Sequence, residues 1–131
     1  MDKIKKQLIN QGLVCPYCDA TTVYVDSAEF YNGKSYGMVY ACRPCKAWVG
    51  VLPTNPKMSL GRVANEELRL AKRGAKHYFE LLWKESHMTK RMAHAWIASK
   101  LKLSKSDCYI GKMDLSQCNR VIELSRKFLS I

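Results

Sequence analysis

Two pairs of closely spaced cysteines constrain the fold of this chain more than any other feature. The first pair lies in Cys15-Pro16-Tyr17-Cys18, and the second lies in Cys42-Arg43-Pro44-Cys45. Two Cys-x-x-Cys hooks can place four thiolates around one tetrahedral Zn²⁺, and paired hooks at this spacing are a specific signal. We therefore predict that Cys15, Cys18, Cys42 and Cys45 bind one structural zinc ion per chain.

Two other interpretations of the hooks are weaker. Cys-Pro-Tyr-Cys is also the active-site tetrapeptide of glutaredoxins, but there it opens a helix that lowers the thiol pKa. Here the strand-forming residues Thr21–Val25 follow the first hook, and redox chemistry leaves the second hook unexplained. Disulfides would require an oxidising compartment. A catalytic zinc is also disfavoured, because four thiolates leave no coordination position for an activated water.

The residues around the hooks predict a small antiparallel sheet. Thr21–Val25 is rich in β-branched and aromatic residues, a second strand carries Tyr36, Met38 and Tyr40 at alternate positions, and Ala47–Val51 forms a third. Asn32-Gly33 is a hairpin-turn signal between the first two. Each hook thus abuts a strand, as in a zinc ribbon. Asp19 tolerates the left-handed conformation that such knuckles often need.

The remainder of the chain has a helical pattern. Pro53 to Pro56 breaks the strand pattern, and apolar residues then recur at helical spacing from Leu60 to Lys84. A second helix is expected over 89–103, with Met92, Trp96 and Ile97 inward. A capping box at Asp114-Leu115-Ser116-Gln117 opens a third helix that ends near Leu129. The fold class is therefore α+β. We predict a zinc-ribbon module over 1–56 and a basic helical module over 57–131, which can pack as one domain.

The charge of the chain points to an anionic partner. Lys and Arg number 22 against 11 Asp and Glu, and residues 59–131 carry 15 of the basic and 7 of the acidic side chains. A polyanion should therefore be attracted mainly to the helical module. The candidate contacts share one face of the first long helix, opposite its apolar stripe: Arg62, Arg69, Arg73 and Lys76. The alternative is a solvated face with ion pairs, because Glu66 and Glu80 lie on the same arc.

The other histidines and cysteines are poorer candidates for metal ligands. His77, His87 and His94 all lie in the helical half, and we expect them to be surface or partly packed residues. Cys118 falls on the apolar side of the third helix and is expected in the core, with Cys108 near it. No apolar run is long enough to span a bilayer, and the segment after the basic Met1–Lys6 is too broken for a signal peptide. We expect a cytoplasmic protein with no membrane partner.

The order of motifs resembles that of a zinc-finger-containing domain family of bacteria and their phages, whose function is largely uncharacterised. The resemblance covers nearly the whole chain and is carried by Cys15-Pro16-Tyr17-Cys18, Tyr40–Gly50, Thr54, Leu60-Gly61, Leu68-Arg69, Phe79–Trp83, Lys90-Arg91, Trp96–Ala98, Cys108–Gly111, Asp114 and Gln117-Cys118. It implies a zinc ribbon joined to a small helical region, in a bacterial cytoplasmic protein or in a phage protein in the host cytoplasm.

The function expected from these observations is non-enzymatic nucleic-acid binding, with a possible regulatory role and with zinc as a structural cofactor. The alternative is a protein-interaction adaptor that docks on an acidic surface of a host or partner protein. A thiol-disulfide oxidoreductase is the least favoured class. No phosphate-binding glycine loop, paired carboxylates or Ser/His/Asp pattern is present, so no small-molecule substrate is expected.

Overall fold

The computed structural model describes residues 3–131. The chain divides into two compact units, Met1–Glu66 and Glu67–Ile131. In the described residues the elements are α1 (Lys3–Asn10), β1 (Val23–Asp26), β2 (Met38–Cys42), β3 (Ala47–Leu52), β4 (Asn55–Ser59), α2 (Glu66–Lys84), α3 (Lys90–Leu101) and α4 (Leu115–Leu129), with 3₁₀ turns at Ser27–Glu29 and Ile110–Lys112. The α+β fold class is confirmed.

The first unit is built on one antiparallel sheet in the order β1-β2-β3-β4. Tyr24 pairs with Tyr40, and Cys42 at the end of β2 pairs with Ala47 at the start of β3. Residues paired across strands share a face, and neighbours along a strand alternate between faces. Cys42, Ala47 and Val49 therefore face the same side, where they form a buried cluster with Cys15 and Val63. The three predicted strands correspond to β1, β2 and β3.

The fourth strand was not predicted, because Pro53 and Pro56 were interpreted as the end of the sheet. The chain instead turns at residues 53–54 and returns as β4 along β3. Pro56 is tolerated because β4 lies at the edge of the sheet, where one side of its backbone needs no ladder partner. The predicted module boundary at residue 56 falls inside this strand, whereas the two units divide after Glu66.

The first long helix begins later than predicted. Ala64 exchanges two backbone hydrogen bonds with Trp48 of β3, and the Leu60 amide donates to the carbonyl of Gly50. Residues 60–64 therefore continue the edge of the sheet, and Leu60 is 51% exposed. The predicted start of the helix was too early because apolar residues between 60 and 64 match the helical spacing by chance.

A further helix that was not predicted, α1, spans eight residues before the first hook. It ends at Asn10, and Gly12, two residues later, has a φ of 77°; the Gly12 and Leu13 amides donate to the carbonyls of Ile9 and Leu8. A glycine in this conformation is a common helix stop. The Ser59 hydroxyl donates to the Gln11 carbonyl at 2.7 Å and thus ties the end of α1 to β4.

The Asn32-Gly33 turn is present but does not form the two-residue hairpin that we predicted. Both residues have positive φ, 53° and 86°, and the Lys34 amide donates to the Tyr31 carbonyl. The β1 and β2 strands are joined by a longer connection, residues 27–37, which contains this turn and the first 3₁₀ turn. Asn32 and Gly33 therefore form a turn as predicted, but the loop that joins β1 to β2 is longer than a two-residue hairpin loop.

The second unit consists of the three predicted helices packed against one another. The predicted apolar stripe of α2 is confirmed at Leu68, Ala71, Ala75 and Leu82, all of which are buried. The predicted capping box is also present: Asp114 accepts from the Gln117 amide at 2.8 Å, and the Gln117 side chain accepts from the Asp114 amide at 3.0 Å.

Contacts between α3 and its neighbours complete the core of this unit. Ile97 of α3 and Val121 of α4 are fully buried, and the Trp96 and Phe128 rings are 5.2 Å apart. Met92 was predicted to point inward, but it is 55% exposed.

Candidate metal centre and basic surface

The first cysteine hook lies in a tight knuckle between α1 and β1. The Cys15 amide donates to the Ala20 carbonyl at 2.8 Å, and the Asp19 amide donates to the Cys15 carbonyl at 2.9 Å. Asp19 has a φ of 66°, which confirms the left-handed conformation predicted there. Its carboxylate also contacts the Lys5 ammonium at 2.8 Å.

The second hook closes the turn between β2 and β3 in a similar way. The Lys46 amide donates to the Arg43 carbonyl at 3.1 Å, and Lys46 has a φ of 51°. In both hooks the residue directly after the second cysteine is therefore left-handed, which turns the chain back toward the metal position. Lysine has no side-chain feature that favours this conformation, so nothing in the residue types predicts it.

The two knuckles bring all four cysteines together. Their Sγ atoms lie within 4.8 Å of one another, and the Cys18 and Cys42 sulfurs are 3.6 Å apart. Zinc–thiolate bonds of about 2.3 Å in a tetrahedron place neighbouring sulfurs roughly 3.8 Å apart, so this donor set fits Zn²⁺. Cys15 and Cys42 are buried, Cys45 is half-buried and Cys18 is exposed.

The four clustered thiols shift one another's pKa values. Hydrogen bonding with Cys18, followed by burial, raises the pKa of Cys45 to about 12. Burial raises the pKa of Cys15, whereas the Ala20 amide lowers the pKa of Cys18. Four thiols this close cannot all lose their protons without a compensating cation, and Zn²⁺ supplies that charge.

The arrangement suits a structural metal better than redox chemistry. The first hook is followed by β1, not by a helix whose N-terminus would lower a thiol pKa. A zinc ion held by four thiolates has a complete coordination shell, so it contributes to folding and offers no open position for a substrate.

No second cluster of three or more metal-binding side chains is found in residues 3–131. The His94 ring contacts the Cys108 carbonyl through Nε2 at 2.9 Å, so this histidine is used within the helical unit. Cys118 is fully buried on α4, as predicted, and Cys108 is buried as well. Burial raises the pKa of the Cys108 thiol.

The predicted basic face is present only in part. Because α2 begins at Glu66, the placement of Arg62 on this helix is wrong: Arg62 lies in the first unit, and its Nη2 donates to Asn10 Oδ1 at 3.0 Å. Arg69, Arg73 and Lys76 do lie on α2, at spacings of four and three that give one helix face.

These three cations differ in exposure. Arg69 is half-buried, whereas Arg73 and Lys76 are exposed. Glu80 forms an ion pair with Lys84 at 3.1 Å; this hydrogen bond lowers the Glu80 pKa most, and the charge of Lys76 lowers it further. Within the described part of the chain, Arg73 and Lys76 make no ion pair. We call these two residues the basic pair of α2.

A family described as a zinc-finger-containing domain matches residues 11–128, which include both hooks and all three helices of the second unit. The chain belongs to this family. The predicted resemblance is therefore confirmed, and so is the zinc cofactor that it implied. No curated protein and no solved structure matches the chain. The family description names a metal-binding element, and the four clustered cysteines account for it.

None of the helices in residues 3–131 combines the length and the apolar character needed to cross a bilayer.

Proposed function

We propose that this zinc-finger-containing protein is a non-enzymatic nucleic-acid-binding protein. Zinc holds the first unit together, and the second unit contacts phosphates. The observation that carries the proposal is the basic pair of α2: two exposed cations, about one helical turn apart, neither of which forms an ion pair in the described residues. Cations held on a rigid helix face are well suited to phosphate contacts.

The charge of the second unit supports the same proposal. Residues 67–131 carry 14 Lys and Arg side chains against 6 Asp and Glu. Two of these carboxylates already have partners within the unit, since Glu80 pairs with Lys84 and Glu123 pairs with Arg120. A positive surface of this kind attracts a polyanion over distances comparable to the Debye length.

The test is a salt series with the full-length, zinc-loaded protein. Fluorescence anisotropy with labelled duplex DNA, single-stranded DNA and RNA should show binding that weakens steeply between about 50 and about 200 mM salt. The double variant Arg73→Glu/Lys76→Glu should lose at least about tenfold in affinity, and the slope of log K against log salt should decrease by about two.

A matched control carries the same change in net charge elsewhere. Lys3→Glu/Lys6→Glu reverses two exposed lysines of α1 in the first unit. This variant should keep the slope of the unmodified protein. The proposal is wrong if the unmodified protein binds no nucleic acid at about 50 mM salt, or if the two double variants lose affinity and slope equally. A stoichiometric protein partner that survives nuclease treatment, with no nucleic-acid binding, would favour the adaptor function instead.

A further inference from the structure

Four aromatic side chains of the first unit form a continuous cluster on one side of the sheet. The Phe30 ring stacks on Trp48, with centroids 4.4 Å apart and planes at 20°. The Tyr31 ring meets Trp48 edge-on at 5.8 Å and Tyr36 edge-on at 5.1 Å. We call Phe30, Tyr31, Tyr36 and Trp48 the ring cluster. Three of its members come from the β1–β2 connection, and Trp48 comes from β3.

The ring cluster lies on the face of the sheet away from the metal. Trp48 pairs with Ala41, whereas Cys42 pairs with Ala47, and these two pairs point to opposite faces. Trp48 therefore lies on the face opposite the zinc ligands, although it is close to the second hook in the sequence. Its indole Nε1 instead donates to the Tyr31 hydroxyl at 3.1 Å.

Part of the ring cluster is open to solvent. Phe30 and Trp48 are half-buried and form its base, while Tyr31 is 41% and Tyr36 is 67% exposed. The backbone beside these rings is open as well, because a Cβ added at Gly33 would meet no atom within 4 Å. The two tyrosines of the sheet strands are used differently: the Tyr24 and Tyr40 hydroxyls donate to the carbonyls of Pro56 and Lys57 in β4.

The charges around the ring cluster favour an anionic ligand. The Lys34 ammonium lies 5.3 Å from the Tyr36 ring centroid, and residues 30–37 contain no acidic side chain. The two carboxylates just before this segment are both engaged. Asp26 accepts from the Ala28 amide at 2.8 Å, and Glu29 accepts two bonds from the Arg43 guanidinium, at 2.7 and 2.9 Å.

The bond between Arg43 and Glu29 also holds this surface in place. Arg43 lies between the two cysteines of the second hook, and Glu29 directly precedes Phe30. Two parallel hydrogen bonds from one guanidinium fix the orientation of the carboxylate as well as its position. The connection that carries three of the four rings is thereby tied to a metal knuckle.

We propose that the ring cluster stacks the unpaired bases of single-stranded nucleic acid. The proposal rests on the proposed nucleic-acid binding and adds the strand type that this site takes. Every base has a π-face that can stack on an aromatic side chain, but a duplex buries those faces between neighbouring base pairs. Exposed rings beside a lysine therefore match a single strand, whose bases and phosphates are both accessible, better than a duplex or a neutral peptide.

The experiment compares one strand type with the other in the full-length, zinc-loaded protein. The probes are a labelled oligo-dT of about 15 nucleotides, which matches the longer single-strand site sizes, and a mixed-sequence duplex of equal length. Tyr36→Ala should weaken oligo-dT binding about 5- to 150-fold and leave duplex binding within about twofold. Because no charge is removed, the salt slope should not change. Tyr36→Phe should retain full affinity, whereas Tyr36→Leu should lose it despite its similar apolar area.

Tyr109→Ala is the matched control, because Tyr109 is also exposed and also lies beside a lysine. It is 54% exposed, and the Lys112 ammonium is 5.6 Å from its ring centroid, but it belongs to the second unit. This variant should bind oligo-dT like the unmodified protein. Zinc content and the ¹H–¹⁵N spectrum report whether each variant is folded.

The outcomes separate this inference from the function on which it rests. If Tyr36→Ala binds oligo-dT normally, or loses oligo-dT and duplex binding equally, the ring cluster is not a base-stacking site, although salt-dependent binding through α2 can still stand. If the unmodified protein binds neither probe at low salt, the nucleic-acid function fails as well. If Tyr36→Ala abolishes binding of a purified protein partner while oligo-dT binding is unchanged, the ring cluster is a protein-docking surface and the inference is overturned.

Discussion

Replacing Gly12 by alanine should weaken the first unit far more than the same replacement at Gly33. Both glycines have positive φ, 77° and 86°, so an alanine at either position meets the same backbone penalty. Their surroundings differ. A Cβ on Gly12 would lie 2.9 Å from the Gly61 carbonyl oxygen and 2.9 Å from the Ser59 Cβ, whereas a Cβ on Gly33 would meet nothing within 4 Å.

The size of each effect follows from these surroundings. A left-handed alanine costs about 1 kcal/mol, and this is the whole expected effect of Gly33→Ala. At Gly12 the added Cβ must also displace the backbone of Gly61 and the side chain of Ser59. The Ser59 hydroxyl has one proton to donate and lies 2.7 and 2.8 Å from the Gln11 and Gly61 carbonyls, so its hydrogen bonding contributes about 1 kcal/mol. Forcing a methyl group into this packed site costs at least about 1 kcal/mol more. We therefore expect Gly12→Ala to cost about 3 kcal/mol, or about 2 kcal/mol more than Gly33→Ala.

Zinc affinity is a suitable measurement because metal binding and folding of a small metal-stapled unit are coupled. In competition with a chromophoric chelator, Gly33→Ala should weaken the apparent zinc affinity about fivefold and Gly12→Ala by more than about a hundredfold. Equal losses for the two variants would show that the end of α1 does not pack against residues 59–61 as described, and would refute the reasoning.

Three further predictions concern the metal site and the chain turns. Cys15→Ser should abolish stoichiometric zinc binding and the dispersed NMR signals of the sheet, while α2, α3 and α4 stay helical. The control is Cys108→Ser, which changes a buried cysteine outside the metal cluster and should leave zinc binding unchanged. Because the pKa of Cys45 is raised to about 12, zinc must displace its proton, so zinc affinity should rise at least about tenfold per pH unit near neutrality; a flat pH profile would contradict this. Lys46→Gly should strengthen zinc binding about fivefold, since φ there is 51°, whereas Lys102→Gly, at the left-handed end of α3, should raise only the melting temperature of the second unit.

The sequence was sufficient wherever local chemistry decides the structure. The hooks predicted the four ligands because zinc imposes the spacing of its cysteines. The capping box at Asp114 and the apolar stripe of α2 were also correct, since each depends on residues within one or two helical turns. The end of α1 could also have been predicted from the sequence, because a glycine, Gly12, closely follows an amphipathic segment and is a helix stop signal.

The features that the sequence did not reveal depend on contacts between distant residues. Residues 60–64 have helical periodicity, but Ala64 pairs with Trp48, so the sheet overrides the local pattern. Arg62 was assigned to a helix face for the same reason, and it instead bonds Asn10, 52 positions earlier. No local signal could place Tyr31 between Trp48 and Tyr36, because the Tyr31–Trp48 contact joins a loop to a strand residue 17 positions later.

The most direct test of the account is zinc K-edge X-ray absorption of the purified full-length protein, combined with its metal content. The account predicts one zinc per chain with four sulfur neighbours at about 2.3 Å and no nitrogen or oxygen neighbour. Cys18→Ser should replace one of these sulfurs with a lighter atom or lose the metal. A protein that holds no zinc, or one whose zinc has fewer than four sulfur neighbours, would contradict the claim that Cys15, Cys18, Cys42 and Cys45 form a closed structural site.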